Sequence, residues 1–221
     1  MPNGALRRMP CRKNYFRSCL AICTVLTFAY SCEEYDRWSK EWEEKFESFQ
    51  PSGKIMDAIG VQPGMSVGEI GAGNGRFAVK VAERVGHTGM VYANDIDLEA
   101  VRFMERRCES EQIANLTVIQ SDEVHPGFPE SKLDLVYIIN TYDHLSDPVT
   151  LLQNTLKSLK PGGTLAVISY DPDKLPNHKG HAVSRETVIE QCRQAGFELV
   201  SIDTTFMYDN VYVFRIRESM Q

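Results

Sequence analysis

The sequence has no apolar run of the roughly 20 residues that a membrane-spanning helix needs. Its best candidate, Cys19–Tyr30, holds only twelve uncharged residues. Six cysteines are present, but none in a Cys-x-x-Cys or other metal-type spacing, so a zinc site has no support. There is no internal repeat and no low-complexity linker, which leaves solenoids and disordered tethers without a basis. Positive charge is also short: 24 Lys and Arg face 30 Asp and Glu, a net of −6. Its placement sharpens the shortage, because residues 1–31 hold Arg7, Arg8, Arg12, Lys13 and Arg17 and no acid. The other 190 residues therefore carry a net of −11. An acidic body repels phosphate backbones, which disfavours general nucleic-acid binding. What is there, 43% hydrophobic and 24% charged residues in a chain of 221, suits one soluble domain with ample material for a core.

The segment 1–31 reads as a leader. A basic cluster precedes the twelve-residue apolar run, the order of a secretory signal peptide. Ala29-Tyr30-Ser31 places small residues at the −3 and −1 positions of a cleavage before Cys32. Lipidation of Cys32 would then anchor the chain to a membrane, as in a bacterial lipoprotein. The expected address is therefore exported or membrane-anchored, with a cytoplasmic chain as the alternative. Of the remaining cysteines, Cys108 and Cys192 fall in helical patterns and read as small core residues.

Residues 32–50 form the next unit. Tyr35, Trp38, Trp42, Phe46 and Phe49 recur at steps of three and four, one apolar stripe on an otherwise charged helix. The stripe packs on the domain or closes as a lid over a site. Pro51 ends it, and a second short helix leads to the turn at Val61-Gln62-Pro63-Gly64. From residue 51 to 221 strands and helices alternate. Strands are predicted at Met65–Ile70, Met90–Ala93, Leu116–Ile119, Leu133–Ile139 and Thr164–Ser169. Helices are predicted at Phe77–Val85, from Leu98 to about Gln112, at Leu151–Leu159 and at Ser184–Ala195. The two last strands, Glu198–Thr205 and Val211–Ile216, have no helix between them and so pair antiparallel. The pattern predicts an α/β, doubly wound Rossmann-like sheet, mostly parallel, with an antiparallel strand near its C-terminal end.

The chemistry concentrates at the C-terminal ends of these strands. Glu69-Ile70-Gly71-Ala72-Gly73-Asn74-Gly75 joins the first strand to a helix, where backbone N–H groups face the crevice above the sheet. A dinucleotide fingerprint, G-x-G-x-x-G counted from Gly71, fails because Arg76 stands at the third position. Asp95, twenty residues beyond Gly75 at the end of the second strand, can accept both hydroxyls of a ribose. Asp97 suits the N-cap of the next helix. Ser121-Asp122-Glu123 follows the third strand, where a polar side chain can meet an adenine amino group. Each acid alone suits capping or solvation; their joint placement at successive strand ends favours a nucleoside site.

With these residues the chain resembles the class I S-adenosylmethionine-dependent methyltransferases. The resemblance rests on VGEIGAGNGRF, YANDID, QSDE, DLVYIINTYDHL and LKPGGTLAVISY and spans about residues 51–217. It implies a seven-stranded sheet with the last strand inserted antiparallel, and S-adenosylmethionine as cofactor. It further implies that Glu69, Gly71, Gly73 and Gly75 shape the methionine end, that Asp95 binds the ribose, and that Ile96 packs on the adenine. Asp122 and Glu123 would meet the adenine edge, and Asn140 would lie near the sulfonium.

Methyl transfer from a sulfonium needs alignment more than acid–base chemistry. Tyr142, Asp143 and His144, just beyond the fourth strand, are the candidates for catalysis, with His144 preferred as acid or base. Asp171, Asp173, His178 and His181 follow the fifth strand; their spacing matches no established metal site, and the loop suits a substrate cover. The expected partner is a small-molecule acceptor. Two other classes compete: a cofactor-binding or sensing protein without turnover, and an NAD-dependent oxidoreductase, which Arg76 disfavours. S-adenosylmethionine is expected inside the cell, so an effective leader and an occupied cofactor site pull the chain toward different compartments.

Overall fold

The computed structural model describes residues 39–174 and 182–217. The leader at 1–31, Cys32, Tyr35, Trp38, His178 and His181 lie outside the described residues. The strands are β1 (Ser66–Ile70), β2 (Met90–Asp95), β3 (Leu116–Gln120), β4 (Leu133–Ile139), β5 (Leu159–Tyr170), β6 (Phe197–Asp203) and β7 (Asp209–Ile216). They form one seven-stranded sheet in the order β3-β2-β1-β4-β5-β7-β6. The pairs β2–β3, β1–β2, β1–β4 and β4–β5 are parallel, and β7 runs antiparallel to both β5 and β6. The predicted class holds, including the inserted antiparallel strand.

Among the described residues there are six α-helices: α1 (Lys40–Phe49), α2 (Ser52–Ala58), α3 (Arg76–Val85), α4 (Leu98–Ser110), α5 (Pro148–Leu156) and α6 (Arg185–Gln194). Side chains alternate along a strand, so a central strand feeds two cores. In β4, Leu135, Tyr137 and Ile139 join Ile55, Phe77, Val81 and Met104 on one face. Val136 and Ile138 join Leu151, Leu152, Val188 and Cys192 on the other, and a register shift between Leu133 and Leu135 brings Leu133 to that face as well. Full burial of each such side chain stabilises the fold by about 1.5–3 kcal/mol. Cys192 is wholly buried and Cys108 packs against the first core, as their helical spacing predicted. Among the described residues no helix is long and apolar enough to cross a membrane.

The largest departures from the expected boundaries lie at α5 and at the start of β5. α5 starts at Pro148, three residues before the predicted Leu151, because Asp147 caps it by accepting from the Thr150 N–H at 3.1 Å. Pro148 fits the first helical turn, where its missing N–H costs nothing. The helix then stops at Leu156 rather than Leu159, since Leu159 already pairs with Leu133 as the first residue of β5. Lys160-Pro161-Gly162-Gly163 breaks the register, and regular pairing resumes at Thr164 opposite Leu135. The chain from Val124 to Glu130, which holds Pro126 and Pro129, is an irregular connection. Its Phe128 packs under β1 at Gly68, where a Cβ would approach the ring to 2.9 Å.

Candidate active site

The sheet order reverses between β1 and β4, and at that switch point the C-terminal strand ends open onto a cavity of about 580 Å³. The glycine loop forms its floor. Gly71, Gly73 and Gly75 have φ of +72°, +57° and +76°. A Cβ at Gly71 would collide with the Thr141 side chain, whose hydroxyl donates to the Gly71 carbonyl at 3.0 Å. At Gly73 a Cβ would meet nothing within 4 Å, so the loop presents bare backbone to the cavity there. Gly75 does not border the cavity; it makes room below the loop, where a Cβ would meet Met104 at 3.0 Å.

Asp95, at the end of β2, borders the cavity and braces this loop. One carboxylate oxygen accepts from the Gly73 N–H at 2.8 Å, the other from the Asp97 N–H at 2.9 Å. Asp97 caps α4, accepting from the Glu99 N–H at 2.9 Å. Ile96, 60% exposed, stands on the rim as an apolar surface with room against it. Asp122 and Glu123 border the same end. Asp122 accepts from the N–H groups of Val124 and His125, which hold its carboxyl below the usual range, and Glu123 accepts from the Ser146 hydroxyl at 2.8 Å.

Glu69 borders the floor but is 1% exposed, and the Tyr137 hydroxyl donates to it at 2.7 Å. Burial pushes its pKa up to about 8, so near neutral pH it is largely a protonated acid. Asn140 borders the inner end in the left-handed region, at φ +53°. Its amide pairs reciprocally with the Gln50 amide, donating and accepting at 3.2 Å each.

The three catalytic candidates separate. The backbone turns through a short 3-10 helix over Tyr142–His144, and only His144 of the three borders the cavity, with 61% of its side chain exposed. Asp143 lies 3.5 Å from His144 Nε2. Tyr142 turns inward, 2% exposed, and donates to Gln191 Oε1 at 3.1 Å. Its ring fills the core between β4 and α6, which removes its hydroxyl from acceptor chemistry. Asp171 is also turned in, accepting from Asn210 Nδ2 at 2.9 Å and the Asp173 N–H at 3.0 Å. Among the described residues no three His, Cys, Asp or Glu side chains gather as a metal site.

Two further elements border the cavity. Trp42 and Phe46 of α1 form one wall of the cavity. The helix is fixed there by polar contacts: Arg107 donates to both Glu43 oxygens at 2.6 and 3.1 Å, and Lys80 pairs with Glu47 at 2.6 Å. The other element is Arg76, first residue of α3, which is 6% exposed and donates to Gln50 Oε1 at 2.6 Å. The sequence marked it only as the residue that breaks a dinucleotide fingerprint.

A glycine loop at a topological switch point, an acid on the next strand and an apolar rim define a Rossmann-like nucleoside-binding domain. The chain belongs to a methyltransferase family: the model described as "Methyltransferase domain" matches residues 62–209. It is 26% identical over 113 residues to the demethylmenaquinone methyltransferase of Geobacillus sp. (strain WCH70), covering 51% of this chain and 48% of that one. It is 32% identical over 116 residues to the ubiquinone/menaquinone biosynthesis C-methyltransferase UbiE of Ectopseudomonas mendocina (strain ymp), covering 52% and 45%. The match thus spans about half the length of these relatives. A SAM-dependent methyltransferase from Aquifex aeolicus shares the fold, with a TM-score of 0.72 at 23% identity over 80% of this chain and 97% of that one.

Proposed function

We propose that the chain is an S-adenosylmethionine-dependent methyltransferase acting on a small-molecule acceptor. The observation that carries this reading is a cavity of about 580 Å³ whose lining runs from the C-terminal ends of β3 and β2 across to those of β4 and β5. Asp95, Ile96 and Glu123 border the nucleoside end; Asn140, Thr141, His144 and Tyr170 border the other, under Trp42 and Phe46. The residues fit the cofactor: Gly73 offers backbone without a Cβ, Asp95 faces the ribose position, and Ile96 gives an exposed apolar face for the base.

When bound, S-adenosylmethionine supplies a methyl group already activated on a sulfonium. The chain's own task is to align the acceptor and keep the reaction dry. The glycine loop and Asp95 fix one reactant, while Trp42 and Phe46 wall off water. His144 is placed to take a proton from an acceptor that must lose one. Tyr170, whose hydroxyl pKa burial raises to about 12, offers an O–H donor at the same end.

The test is calorimetric binding of S-adenosylhomocysteine, followed by transfer of labelled methyl to a panel of small acceptors that includes isoprenoid quinols. Micromolar binding and label in any acceptor support the reading. Only His144 among the catalytic candidates borders the cavity, which a non-catalytic cofactor binder would share. Binding with no transfer across the panel therefore favours that alternative, and no binding sinks both.

A further inference from the structure

Arg76 is a buried guanidinium with unused capacity. It borders the inner part of the cavity and is 6% exposed. Its Nη2 donates to Gln50 Oε1 at 2.6 Å, but its Nη1 is buried with no hydrogen-bond partner. The rings of Phe46, Trp42 and Phe77 lie 5.0, 5.9 and 6.0 Å from the guanidinium carbon and shield it from water. A buried cation left with an orphan N–H is costly, and mutational experience places the cost in the kcal/mol range for each such group.

The neighbouring acids favour its charge but give Nη1 no hydrogen bond. Glu43 is engaged by Arg107 and Glu47 by Lys80. Glu69 takes the Tyr137 hydroxyl, and burial keeps it largely protonated near neutral pH. Asp209 accepts from Gln50 Nε2 at 3.2 Å through Oδ2, leaving Oδ1 itself unpartnered. A second, separate feature thus agrees with the first: the Gln50 amide is saturated by Asn140, Asp209 and Arg76 and has no further group to offer Nη1.

We propose that Arg76 is the receptor for a carboxylate that a ligand carries into the cavity. The planar fork matches a carboxylate, and the aromatic wall strengthens a charge-assisted bond by excluding water. The proposal rests on the methyltransferase reading for its ligand, and two sources share the chemistry. One is the amino-acid end of S-adenosylmethionine; the other is a carboxylate on the acceptor.

Calorimetry with paired ligands separates them. S-adenosylmethionine and its decarboxylated analogue differ only in that carboxylate, so the wild-type protein tests the first source without any substitution. The expected result is binding at least about tenfold tighter for the carboxylated ligand. In Arg76→Gln the difference collapses while the analogue's affinity stays unchanged, which also shows that the variant's pocket is folded; Arg76→Lys restores part of it. If the wild type binds the pair equally, octanoate and benzoate are titrated against their amides, with and without S-adenosylhomocysteine. Preference for the acids in wild type, lost in Arg76→Gln, places the carboxylate on the acceptor. No preference in either arm overturns the proposal. Failure of both nucleosides to bind at all defeats the cofactor reading instead, and the acid–amide pairs on the free protein then decide the role of Arg76 alone.

Discussion

Asp95 carries two duties at once. Its oxygens hold the Gly73 and Asp97 N–H groups, yet it also borders the cavity where a ribose would lie. Removing it strips a charged acceptor from the ligand and loosens the loop that receives the ligand. Asp95→Ala is therefore expected to weaken S-adenosylhomocysteine binding by about 1–3 kcal/mol, measured by calorimetry; unchanged affinity would show that the nucleoside lies elsewhere. Asp95 was legible because an acid at a strand end after a glycine loop has a known chemical use. Its grip on Gly73 was not, since nothing in the spacing says which N–H a carboxylate will find. Arg76 shows the same limit from the other side. A lone arginine after a glycine loop carries no sign of burial, and only the packing of Phe46 and Trp42 over it makes its charge notable.

At the scale of elements, α1 behaves as a wall held by ion pairs rather than by deep burial. None of its residues is fully buried, so its docking leans on Glu43, Glu47 and the Gln50 cap. The Glu43–Arg107 pair is bidentate and keeps only 17% and 16% side-chain exposure. A double-mutant cycle through Glu43→Gln and Arg107→Gln should return a coupling of about 1 kcal/mol, the upper end for partly exposed pairs. Amide exchange in α1 should quicken in Glu43→Gln; exchange as slow as in wild type would mean that the aromatic stripe alone seats the helix. The stripe was readable from its three-and-four spacing, whereas the partners of its charged face, on α3 and α4, were not.

The β6–β7 hairpin is fixed similarly from a distance. Lys174 Nζ lies within 3.2 Å of the carbonyls of Thr204, Phe206 and Asp209 and of Asn210 Oδ1. Lys174→Met should cost about 1–3 kcal/mol in urea unfolding. An unchanged midpoint would show that pairing with β5 suffices to hold the turn.

For the whole molecule, the balance of buried and exposed acids sets how stability follows pH. Burial raises the Glu69 pKa to about 8 and the Asp209 pKa to about 6. For each, the folded state binds the proton more tightly than the unfolded chain does. The stability so gained is complete below the ordinary carboxylate range and is lost as pH rises through 6 for Asp209 and through 8 for Glu69. Self-repulsion acts in the same direction, because the chain already carries −6 at pH 7. Exposed acids oppose the trend only at low pH: hydrogen bonds lower the pKa of Asp122, Asp147 and Asp203, whose contribution fades as pH falls below the carboxylate range. The net charge was legible in the composition, but the buried protons were not, since they depend on the burial of Glu69 and Asp209, which outweighs the opposing hydrogen bonds from Tyr137 and Gln50. Salt separates the two causes. The urea midpoint of wild type should fall between pH 5.5 and 8, and 1 M NaCl should remove only the part due to repulsion, as it screens exposed charges over about 3 Å. Glu69→Gln, which keeps an acceptor for Tyr137 without a titrating proton, should flatten the part that salt leaves between about pH 7 and 8, above the Asp209 titration. A variant whose midpoint tracks wild type at both salt concentrations would show that Glu69 does not hold a proton in the folded protein.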